Sequence, residues 1–196
     1  MIEIICAFIA AAAAIYAAYI SSSTKKGVNI WKKDYEKTNS KIINDIATIY
    51  SELWGLLHNL NADRVYIIQP HPLINYLYIS IGLEVVRNGV HKISYNIKSL
   101  SMSDVANFCG QLAKQDYVFY DKLEDMDKRA KAIFSVNGTT QLAIKKLVDG
   151  QDNWVGSLCI DAMSENKLDL VDNMNYINEV ANNIQFILPE YKDVIR

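Results

Sequence analysis

Residues that carry chemistry are scarce in this chain. Of 196 residues only three are cysteine, three histidine and three proline. Cys6, Cys109 and Cys159 show no C-x-x-C spacing, so nothing asks for a dithiol centre or a thiolate metal site. They read as buried, reduced thiols acting as small hydrophobes, with a Cys109–Cys159 disulfide left open. His58, His71 and His91 are scattered, with no i, i+4 pair of the kind that ligates a metal from a helix. There is no P-loop, no G-x-G-x-x-G and no G-x-S-x-G. Asp121, Glu124, Asp125 and Asp127 stand among Lys122, Lys128, Arg129 and Lys131, the mixture of a solvated face rather than paired catalytic carboxylates. The expectation is therefore a non-enzyme with no catalytic residue, no metal and no cofactor, and cofactor-binding residues stay unknown. A net charge of −2 and a pI of ≈ 5.9 give no global attraction to nucleic acid, which is not expected as a partner.

Apolar residues, by contrast, are plentiful at 51%, and the excess sits in the first twenty positions. No charge interrupts Ile4 to Ile20, which holds Phe8, Ile9, the Ala10–Ala14 run, Ile15, Tyr16 and Tyr19. As a helix it spans roughly 26 Å, just short of the ~30 Å hydrocarbon core of a bilayer. A cleaved signal peptide and a buried core helix are the rivals. Glu3, with no Lys or Arg before the apolar run, argues against the first. The expectation is one retained transmembrane helix over 1–20, with Tyr16 and Tyr19 in the interfacial belt. Lysines 25, 26, 32, 33, 37 and 41 follow it, and the positive-inside rule puts the soluble part in the cytoplasm of an inner-membrane, single-pass protein. Lys25, Lys26, Lys32 and Lys33 are also placed to touch anionic lipid headgroups. Ala10, Ala14 and Ala18 share one helical face, a weak pointer to helix pairing in lipid.

Residues 21–44 are expected to be a polar linker and the start of a long helix. Val28, Trp31, Tyr35 and Thr38 lead into Ile42, Ile46, Ile49, Leu53, Leu56 and Leu60, alternating four and three from Ile42 onward. The stripe fits two uses, a seam with a second copy or a face laid on the protein's own sheet. Trp31, Tyr35, Ile42 and Ile46 are the candidates for self-association, so lipid and a second copy of the chain are the expected partners. Arg64 to Gln69 reads as a strand. Tyr76 to Arg87 alternates strictly, with Leu77, Ile79, Ile81, Leu83 and Val85 on one side and Tyr76, Tyr78, Ser80, Gly82 and Glu84 on the other. Asn88-Gly89 signals a hairpin returning through Val90 to Tyr95. A short helix from Ser103, a strand at Tyr117–Tyr120, a charged helix over Asp121–Ala132, a hairpin of 139–148 with 154–163, and a closing helix over Leu168–Leu188 complete the pattern. The implied fold is α+β, an antiparallel sheet covered on one face by the long N- and C-terminal helices. It is expected over 45–188, with 189–196 as a tail.

The order of these elements resembles a GAF-type domain, a relative of PAS domains. The resemblance lies mostly in Trp154-Val155-Gly156-Ser157-Leu158-Cys159-Ile160, similar to a late strand of that family, and in Ser164-Glu165 followed by Leu168, Leu170, Met174, Ile177 and Ala181, similar to its closing helix. It spans roughly Asp45 to Leu188 and implies a sensory, regulatory or scaffolding module, small-molecule binding in some members, and pairing through terminal helices. Binding residues do not carry over. Asn166-Lys167-Leu168-Asp169 is only superficially similar to the cyclic-nucleotide signature and falls after the last strand, and no cysteine sits in a bilin-attachment setting. A small-molecule site on the Tyr76, Tyr78 and Glu84 face is the remaining expectation. More distantly, Ala62-Asp63-Arg64-Val65-Tyr66 through Tyr76-Leu77, with Val155-Gly156 before the final helix, is similar in order to T-even phage holins. That resemblance implies membrane permeabilisation, although those proteins carry a long segment ahead of their span and place their domain outside the cytoplasm.

Overall fold

The computed structural model describes residues 38–72, 75, 77–164, 168, 170 and 172–191. The chain divides into two units, Met1–Asn44 and Asp45–Arg196. In the first, the described residues 38–44 are helical. The expected transmembrane segment, Lys25, Lys26, Lys32, Lys33, Trp31 and Tyr35 lie outside the described residues. Among the described residues no helix is long and apolar enough to cross a membrane.

The second unit is built on one sheet whose strands are β1 (Arg64–His71), β2 (Tyr78–Val86), β3 (Leu100–Ser101), β4 (Tyr117–Tyr120), β5 (Gln141–Val148) and β6 (Trp154–Ala162). Their order is β3-β2-β1-β6-β5-β4, and every neighbouring pair is antiparallel. The first and last long strands therefore lie side by side at the centre, paired from Arg64↔Asp161 to Ile68↔Ser157. Residues 45–59 form helix α1, and Met174–Gln185 form α4. On one face, Ile49, Leu53 and Leu56 of α1, Leu60 just after it, and Ile177, Ala181 and Ile184 of α4 meet Val65, Ile67, Leu158 and Ile160 in a single buried cluster. That is the expected covering of one face by the two terminal helices. Periodicity finds the buried stripes because each is dictated by the helix's own repeat, but α4 spans only Met174–Gln185 and not the expected Leu168–Leu188.

The opposite face is closed by α2 (Ala106–Lys114) and α3 (Lys128–Val136). Phe108, Cys109, Leu112, Ala130 and Phe134 bury against Tyr66, Ile68, Leu142, Ile144 and Cys159. The expected charged helix over Asp121–Ala132 is displaced. A 3-10 turn at Leu123–Asp125 precedes α3, and Asp127 caps α3 by accepting from the Ala130 amide at 2.9 Å. An aspartate at that position satisfies an otherwise orphaned amide, which fixes where the helix starts.

Two expectations for β2 fail for one reason each. The strict alternation breaks at a bulge, because Ile67 pairs with Leu83 and Ile68 with Ile81, leaving Gly82 without a partner. Ile79 and Ile81 consequently join the α2/α3 cluster, whereas Leu83 and Val85 join the α1/α4 cluster. An extra residue in one strand inverts every side chain beyond it. The Asn88-Gly89 turn forms, with Gly89 at φ 85°, but residues 90–95 are not a strand. Glu84 instead accepts the amides of Ile93 (2.8 Å) and Ser94 (3.2 Å), holding that segment as a loop while Ile93 and Ile97 bury in the core.

Candidate functional site

Strand alternation puts Arg64, Tyr66 and Ile68 on the α2/α3 face of β1, and the β1–β6 register sets Arg64 opposite Asp161. Both side chains are buried, at 1% and 0% exposure. The Arg64 guanidinium donates from Nε to Asp161 Oδ2 (3.2 Å) and from Nη2 to Oδ1 (3.1 Å) and Oδ2 (2.9 Å). The same carboxylate accepts from the Thr139 hydroxyl at 2.8 Å. Arg64 Nη1 donates to the carbonyls of Asn137 (3.0 Å) and His91 (3.4 Å). One guanidinium thus ties two surface segments, the loop after β2 and the turn after α3, to the central strands. Asn96 closes the arrangement by donating to the Asn137 side chain at 2.9 Å.

Burial raises the Asp161 carboxyl to about 6, and the charge and hydrogen bonds of Arg64, then Thr139, oppose that rise. Tyr66, next to Arg64 on the same face, is held well above the usual phenol range by burial first and the Asp161 charge second. Its hydroxyl is buried without a hydrogen-bond partner. Cys159, opposite Tyr66 in the register, is likewise pushed up by burial, and burial takes Cys109 to about 12. Neither is a poised nucleophile, because the thiolate is the reactive form. Both are free thiols, as the composition suggested. A fully hydrogen-bonded buried ion pair is chemically a brace, holding charge in fixed geometry rather than exchanging it with a substrate.

Two surface depressions flank the braced turn. One, of about 420 Å³, is lined by Asn96, Leu100, Arg129, Ile133, Val136 and Asn137. The other, of about 510 Å³, includes Lys122, Lys131, Ser135, Thr139 and Thr140. The first combines one cation with an apolar wall in which Val136 is 84% exposed, and its floor includes the residue whose carbonyl Arg64 holds.

The residues singled out from the sequence do not converge. Ile42 is 42% exposed, and Ile46 is partly buried against the α1/α4 core. Of the expected ligand face, Tyr76 lies outside the described residues, Tyr78 is exposed, and Glu84 is buried. The bulge at Gly82 sends Tyr78 and Glu84 to opposite faces, so they form no common site. His58 stacks on Trp54 at 5.8 Å, His71 Nε2 lies 2.8 Å from Ser80 Oγ, and His91 contributes its carbonyl. Among the described residues no group of three His, Cys, Asp or Glu is arranged to hold a metal. The Arg64–Asp161 pair escaped the sequence reading. Its visible trace is one ionic residue at the end of each of two largely apolar strands, Arg64 opening β1 and Asp161 next to last in β6.

No protein-family model matches the sequence, and no curated protein matches it. Solved structures do match in shape. The chain is similar to the cyanobacteriochrome receptor PixJ (12% identity, 74% of this chain, 95% of that one, TM-score 0.60). It is also similar to a GAF domain/HD domain protein from Geobacter sulfurreducens (6%, 76% and 94%, 0.60). A third match is a domain of a two-component sensor histidine kinase from Sinorhizobium meliloti 1021 (12%, 69% and 84%, 0.52). The fold is GAF-like.

Proposed function

We propose that this chain is a non-catalytic regulatory or sensory module, anchored in a membrane by its N-terminal segment, self-associating, with its GAF-like domain in the cytoplasm and a small molecule as its signal. The observation that carries the reading is the Arg64 brace. It joins the segments bordering the depression beside α3 to the two central strands, so a ligand pressing on Asn96 or Asn137 acts on the middle of the sheet. Similarity in shape to a receptor and to a sensor kinase domain supports the regulatory class. The uncharged run from Ile4 to Ile20 and the lysines after it support the anchor and its orientation. The stripe running through Trp31, Tyr35 and Ile42 supports self-association.

Two measurements on the full chain test this. A reporter fused at the C-terminus is expected to be active only in the cytoplasm, and activity only outside overturns the orientation. A small-molecule screen by thermal shift is expected to yield a ligand that stabilises by about 2.7 kcal/mol at a hundredfold excess over its Kd. That shift should vanish in Val136→Glu. A ligand that stabilises this variant as well as the wild type places the site elsewhere.

A further inference from the structure

At the end of the sheet away from the Arg64 brace, the segment after α4 lies across the α1/α4 face. The sheet is shaped to receive it. Gly156 of β6 has no side chain at the point where Leu188 sits, and a Cβ there would stand 3.2 Å from Leu188 Cδ2 and 3.1 Å from the Ile68 carbonyl oxygen. Gly82, the exposed bulge residue of β2, leaves room for two neighbours, since a Cβ there would stand 3.1 Å from Gln69 Oε1 and 3.2 Å from Tyr191 Cδ2. Between the two glycines, Gln69 Nε2 donates to the Pro189 carbonyl at 2.8 Å. Beyond them the Tyr191 ring meets the His71 ring with centroids 4.5 Å apart, and His71 in turn stacks on Tyr78 at 5.9 Å. Ser80 steadies the imidazole, since its Oγ is 2.8 Å from His71 Nε2 and accepts the Ser99 amide at 2.7 Å.

Glycine inside a strand weakens it, and such positions mark a bulge or a close approach. Here two interior glycines face the same short segment, and neither adopts a left-handed backbone. Their common feature is the space they leave. The β1–β6 register also stops at Ile68↔Ser157, where Leu188 enters. We propose that residues 187–191 form a latch seated in a dedicated slot. The slot recognises an extended aliphatic-Pro-x-aromatic segment through two glycine notches, one amide donor and one aromatic platform. The occupant is this chain's own Leu188-Pro189-Glu190-Tyr191, and its docking locks the end of α4 to β1, β2 and β6. This stands on local geometry and does not depend on the ligand site proposed beside α3.

The test is NMR on the full chain in detergent micelles, combined with a double-mutant cycle read by urea unfolding. In the wild type, nuclear Overhauser contacts are expected between the Tyr191 and His71 rings. Gly82→Val should abolish them while contacts between β1 and β6 at Ile67 and Leu158 persist. The unfolding constant should rise at least tenfold in Gly82→Val, yet less than threefold when the same change is made in a Tyr191→Ala background. Tyr191→Phe should keep the ring contact. Ring contacts that survive in Gly82→Val overturn the proposal, and so do fully additive effects of the two substitutions. If Gly82→Val fails to fold, the ring contact in the wild type and the coupling measured with Gly82→Ala decide instead.

Discussion

Arg64 spends its whole hydrogen-bonding capacity inside the protein, on one carboxylate, one hydroxyl and two carbonyls. Such a pair is worth little against an apolar replacement but a great deal against its own halves, because removing one partner strands the other in a low dielectric. Arg64→Ala is therefore expected to destabilise the domain by about 3–5 kcal/mol, measured as a fall in urea midpoint. The double replacement Arg64→Met with Asp161→Leu should recover most of that loss. The raised Asp161 carboxyl adds a pH signature. Its folded value, about 6, lies above the ~3.9 of an unfolded aspartate, so the folded state holds the extra proton between those values. The associated stability is fully present below about pH 4 and lost as pH rises to about 6. Subtracting the stability curve of Asp161→Asn from that of the wild type should isolate this downward slope. The lowered carboxyls of Glu124 and Asp149 slope the other way and cancel in the difference. A difference curve that is flat from pH 4 to 6 overturns the assignment.

At the scale of elements, short-range chemistry decides the starts and stops. Asp127 caps α3 through Oδ1 and, through Oδ2, accepts the Phe108 amide in the first turns of α2 at 3.1 Å. One carboxylate therefore registers two helices on the same sheet face. Asp127→Ala should cost about 1–2 kcal/mol, with Asp127→Asn recovering part of it in the same urea titration. The bulge at Gly82 works at this scale too. It turns a strand that reads as uniformly two-faced into one that feeds both cores, and it leaves a bulge glycine where the Gln69 side chain and the Tyr191 ring approach. Neither consequence is visible in the alternation of Leu77 to Val85, since the pattern has the same period on either side of an inserted residue.

Over the whole second unit the decisive fact is that β1 and β6 are neighbours. Arg64 and Asp161 are 97 positions apart, so the brace exists only once the sheet has closed around the intervening hairpins and helices. The same closure gives α1 and α4 a shared face to cover and brings the segment after α4 back over β1 and β2. Loop-closure entropy makes such non-local pairing the late and costly part of folding, and it is where the two proposed functional devices sit.

The class of fold is legible in the order of residues alone. The helical stripes from Ile46 to Leu60 and from Met174 to Ile184, period-two runs, and the turn residues Asn88-Gly89 and Asp149-Gly150 are local signals written within a few residues of where they act. The same order carries the GAF-like resemblance in Trp154 to Ile160 and in the helix that follows. The order of the strands, the loop held by Glu84 in place of a returning strand, and the Arg64–Asp161 brace emerge only from long-range packing. So does the slot made by Gly82, Gln69, His71 and Gly156. Each of these depends on which distant backbone lies alongside, and a buried charge or a strand glycine does not announce its partner. The physical reason is one of range, because periodicity and capping act over one turn or one strand, whereas register, burial and ion pairing are set by residues tens of positions away.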